Sequence, residues 1–117
     1  MKVLLDYSST ETRGARRIMI TVVLTDDGKT LERAVSGDTE EGAVIAAVCE
    51  FFPKMKPMMQ SDAIWIDCVR MFGEYHANAH VETSRGIILL GSACDECSAK
   101  AMFLALVNTT GQLKKLA

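Results

Sequence analysis

The sequence predicts an α+β fold: duplicated β-β-β-α units with pseudo-twofold symmetry, two helices packed on antiparallel sheets. Three observations lead there. Segments alternating apolar and polar residues are joined by turn signals. Two longer apolar segments each follow a capping residue and a pair of acids. The order of elements in the first half of the chain returns in the second.

In chain order, "KVLLDYSS" at 2–9 reads as a strand. "ARRIMITVVLT" alternates, with Ile18, Ile20, Val22 and Leu24 on one face, and "DDG" at 26–28 is a hairpin signal. "KTLERAVSG" returns as a third strand. "DTEEGAVIAAVCEFF" opens a helix, with Asp38 or Thr39 as cap and Glu40 and Glu41 in the first turn. "PKMKPMMQS" is a linker. "AIWIDCVRMF" is a fourth strand. "EYHANAHVET" alternates strictly, Ala77, Ala79 and Val81 against His76, Asn78, His80 and Glu82. "SRG" at 84–86 is a turn and "IILLG" a short buried strand. "CDECSAKAMFLALVN" is the second helix, and "GQLKKLA" after Gly111 adds a short turn. "LLDY" answers "WIDC", and "TEEGAVIAAVCEFF" answers "CDECSAKAMFLALV". The chain is therefore one domain with repeats at 1–53 and 62–117 and a linker at 54–61.

A chain of 117 residues, 49% hydrophobic, can bury one core without disulfides. Its net charge of −2, the lack of a long basic run and only seven aromatic residues exclude an ordinary nucleic-acid binder. Apolar runs of about ten residues are too short to span a bilayer, so no membrane association is expected. Met1 leads straight into a strand, without the pattern of a signal peptide. Four cysteines beside seven methionines fit a reduced, cytoplasmic setting. Both helices are apolar nearly all round. One sheet needs only one apolar stripe, so the surplus predicts burial against the other helix or another subunit, and from it we expect a homodimer.

Cys94-Asp-Glu-Cys97 is the segment richest in chemistry. Zinc would need His76 and His80 as further ligands, but four positions along a strand separate them by roughly 13 Å, and there is no second CxxC. No metal and no cofactor are expected. A thiol-redox pair at a helix start is opposed by Asp95 and Glu96, which disfavour thiolate. No serine or cysteine sits in a glycine-flanked elbow, and no phosphate loop is present. Arg13, Arg16 and Arg17, the only basic patch, read as a solvated strand face.

The whole pattern resembles the C-terminal regulatory, dimerising domain of 2-isopropylmalate synthase and its relatives, citramalate and homocitrate synthase. "LLDYSS" and "IWIDCVR" resemble that family's apolar-Asp-Tyr-x-Val strands, and "HANAHV" its Asp-Ala-x-Ala-x-Val strand. "GDTEEGAVIAAV" stands at its first helix start. In "ECSAKAMFLAL", Glu96, Ser98, Ala99, Lys100, Ala101, Ala105 and Leu106 match its second helix. Thr39-Glu40 replaces Gly-Pro, His76 replaces Asp, and Ser92-Ala93 replaces Thr-Asp.

The resemblance implies feedback sensing of a branched-chain amino acid at a dimer interface, by a module that is not itself an enzyme. A catalytic barrel of about 250 residues does not fit in these 117, so the expectation is an isolated regulatory domain or a stand-alone relative, with a separate catalytic chain among its candidate partners. Helix N-termini near Gly91–Glu96 and Gly37–Glu41 offer anion donors. The expected ligand-binding set is Asp67 for the ammonium group, His76, and Gly91, Ser92, Cys94 and Asp95 at the start of the second helix. Two rival readings stand beside it: a small interaction or inhibitor protein, for example phage-derived, with no small-molecule effector, and a thiol oxidoreductase with a Cys94–Cys97 disulfide.

Overall fold

Alternation places hydrophobic side chains on one side of each strand, and the paired registers place those sides together. The computed structural model describes residues 2–53, 64–83 and 85–116, with side chains through Thr109. Strands β1 (Lys2–Thr12), β2 (Ala15–Asp26) and β3 (Lys29–Gly37) are followed by helix α1 (Glu40–Phe51). Strands β4 (Ile64–Met71), β5 (Glu74–Glu82) and β6 (Ile88–Asp95) are followed by helix α2 (Ser98–Leu116). Each trio forms an antiparallel sheet in sequence order. The expected linker at 54–61 lies outside the described residues.

Three of the hairpins turn on two residues, Arg13–Gly14, Asp27–Gly28 and Phe72–Gly73, all with positive φ. That pairing matches the right-handed twist of the flanking strands. Phe72 was expected at the end of a strand, but it occupies the left-handed turn position at φ 53 and is 100% exposed. A bulky residue in that region is uncommon.

Ile18, Ile20, Val22 and Leu24 of β2 face inward, as do Ala77, Ala79 and Val81 of β5. These are the faces that alternation assigned. Helix α1 covers the first sheet with Ala43, Val44, Ala47 and Val48, and α2 lies on β5 and β6. Thr39 caps α1, its Oγ1 accepting from the Gly42 amide at 3.0 Å.

The helices also pack on each other. The rings of Phe51 and Phe103 meet edge to face, centroids 6.2 Å apart, and residues of both halves share one core. This contact accounts for the helical surplus. α1 and α2 bury their second apolar faces against each other inside the chain, so the helices themselves give no reason for a second subunit.

The second helix differs from expectation at both ends. It begins at Ser98 rather than Cys94, and it continues through Gly111 to Leu116 instead of breaking there. β6 takes the residues released at the start, because β5 extends to Glu74 and offers pairing partners as far as Asp95. Asp95 and Glu96 therefore precede the helix instead of forming its first turn. No helix among the described residues is long and apolar enough to cross a membrane.

Candidate functional site

Registers across the second sheet sort the expected ligand-binding residues onto two faces. On the outer face, away from α2, three rows run from β4 through β5 to β6. They are Trp65–His80–Leu90, Asp67–Asn78–Ser92 and Val69–His76–Cys94. Asp67, His76, Ser92 and Cys94 thus share one surface, a juxtaposition that a helical Cys94 would not have allowed. Gly91 and Asp95 belong to the inner rows, beside α2.

Gly91 has a visible packing role. A Cβ built there would lie 2.1 Å from the Ala105 carbonyl oxygen of α2, so only glycine lets helix and strand approach this closely. Asp95 serves the helix start. Its Oδ1 accepts from the Cys97 amide at 3.0 Å, and its Oδ2 lies 3.4 Å from Lys100 Nζ. Glu40, at the start of α1, accepts a hydrogen bond from Ser98 Oγ at the start of α2. Two carboxylates of the chain thus already sit where a ligand carboxylate was expected to bind. The free amides anticipated near Cys94 and Asp95 are strand residues of the β5–β6 pair.

A cleft of about 560 Å³ runs along the outer edge of β6, lined by Asn78, His80, Leu90, Gly91, Ser92 and Asn108 among others. Asn108 Nδ2 donates to the Ser92 carbonyl at 2.7 Å. That bond ties α2 to the edge strand and forms the cleft wall. Asn108 and Leu90 were not anticipated: they come together because α2 packs on β6. Compared with known proteins, the chain matches no family model and no curated protein.

None of the four cysteines forms a disulfide. Cys94 is exposed on the outer face, its Sγ 2.9 Å from His76 Nδ1, while Cys97 packs against the core. The CxxC spacing therefore places its two sulfurs in different surroundings, one at the end of a strand and one in the bend before a helix. Cys68 is on the inner side of β4. Burial pushes its thiol above the ordinary range, and the Glu40 carboxylate acts in the same direction. Both effects keep it protonated and make it a poor nucleophile. Two of the three basic residues in the first hairpin have surface partners, Arg16 with the Tyr7 hydroxyl and Arg17 with Ser36 and Asp38.

The outer face also carries exposed apolar side chains among its polar rows. Trp65, Val69, Met71, Ile88 and Leu90 are each about half exposed on it, Trp65 at 50%.

Proposed function

We propose that the chain is a regulatory and dimerisation module, not an enzyme, of the kind found in 2-isopropylmalate and citramalate synthases. The observation that carries this reading is the apolar outer face of the second sheet. The inner faces are satisfied within the chain, so the apolar residues left on the outside are available for assembly. A second copy of the chain docks there and covers the cleft beside β6. A branched-chain amino acid binds in that cleft, with Leu90 against its side chain and Ser92 and Asn78 among its polar contacts. No cofactor is required. The module would act on a synthase-type catalytic unit, and cysteines that form no disulfide suit a cytoplasmic setting.

Duplication of a β-β-β-α unit about a pseudo-twofold axis is part of the same proposal, and three equivalences support it. The β-β-β-α order occurs twice. Asp6 and Asp67 hold corresponding outer positions on β1 and β4. Thr39 and Cys97 each precede a helix and accept, through the carbonyl, from the amide four residues on, Ala43 and Ala101, both at 3.0 Å. That match moves the correspondence of the second repeat three residues from the one suggested by "TEEG" and "CDEC".

Calorimetry tests the sensing role. Leucine, isoleucine or valine is expected to give saturable heat with the wild type and none with Ser92→Trp, whose indole would fill the cleft from an exposed position. No heat from any of the three, or equal heats for both proteins, would remove the effector. The exposed apolar face would then favour the interaction-protein reading.

A further inference from the structure

We infer that Glu74, His76 and Cys94 form a binding site for a zinc-class divalent cation on the outer face of the second sheet. One donor atom from each residue lies within 4.8 Å of the other two. The β-ladder creates this grouping. His76 and Cys94 are direct partners across β5 and β6, and Glu74 lies two positions from His76 on the same face. His80, too far along the strand to share a metal with His76, is not part of this set.

The geometry is close to what a metal needs. Zinc–ligand bonds of about 2.0–2.3 Å in a tetrahedron leave donor atoms roughly 3.5 Å apart. The His76–Cys94 pair stands at 2.9 Å and need only open slightly. Glu74 and Cys94 are exposed and free to adjust by rotamer, while the half-buried His76 anchors the group. A thiolate, an imidazole and a carboxylate form the donor set of zinc and cobalt rather than of magnesium or calcium, which prefer oxygen. When the cation binds, the Cys94 thiol gives its proton to solvent. Thiolate and carboxylate then balance the two positive charges, and the chain leaves the fourth position open on its outer face.

A nucleophile relay fits less well. There the acid lies on the far side of the imidazole from the thiol, in a line, whereas these three donors make a triangle. A plain thiol–imidazole hydrogen bond would explain two of the residues but not Glu74.

Cobalt titration of the reduced full chain tests the site. One equivalent of Co²⁺ is expected to produce a thiolate-to-cobalt charge-transfer band that zinc displaces. Cys94→Ser should abolish the band, and His76→Ala should weaken binding by more than about tenfold. Cys68→Ser and Cys97→Ser should leave it unchanged. Zinc should also raise the melting temperature of the wild type but not of Cys94→Ser. Circular dichroism confirms that each variant is folded. Absence of the band in the wild type, or its persistence in Cys94→Ser, would overturn the assignment.

Discussion

Phe103→Ala is expected to cost about 3–5 kcal/mol of stability, the range for removing a fully buried aromatic ring. The ring is 0% exposed and joins α2 to Phe51 of α1, so its loss opens a cavity between the two halves of the core rather than within one half. Small domains have only about 5–15 kcal/mol in total. The variant should therefore unfold at a much lower urea concentration, through a single transition if both halves share one core. A loss below about 1 kcal/mol, or two separate transitions, would show that the helices do not unite the halves.

Gly91→Ala should be the next most damaging change, by about 3 kcal/mol, the upper end of the usual cost of overpacking. The added methyl would meet a backbone oxygen at 2.1 Å, and backbone cannot rotate away as a side chain can. Helix α2 must shift from β6, straining the Asn108–Ser92 hydrogen bond as it does so. Ser92→Ala, one residue away but exposed on the outer face, is the control and should change stability little. If Gly91→Ala melts like the wild type, the glycine does not set the helix–strand distance, and the ligand role assigned to it from sequence regains its place.

Much of the fold was legible because alternation is a local signal. The inward Ile18-to-Leu24 series and the strict pattern of 74–83 each name a buried face without reference to any other segment. Both helices were visible as apolar runs, but the start of the second was misplaced. "CDEC" looks like a capped first turn, yet pairing with the extended β5 draws Cys94 and Asp95 into a strand. Tertiary pairing overrode the local cap signal, and the error spread to the site. With Cys94 on a helix, its contact with His76 could not be foreseen, nor the convergence with Glu74. Asp67, His76, Ser92 and Cys94 lie on one sheet face instead of around a helix end. The contact between α1 and α2 was one of two outlets foreseen for the apolar surplus, and it removed the original reason to expect a dimer. The reason that remains came from registers: they gather Trp65, Val69 and Leu90 on one face although they lie on different strands.

Sedimentation equilibrium of the wild type and Trp65→Glu at micromolar concentration tests the central claim, assembly through that outer face, most directly. The wild type should sediment at twice the 12.8 kDa chain mass. Trp65→Glu, which replaces one of the exposed apolar side chains of that face by a charge, should sediment as a monomer with unchanged circular dichroism. A monomeric wild type, or a Trp65→Glu variant that still dimerises, would contradict the claim.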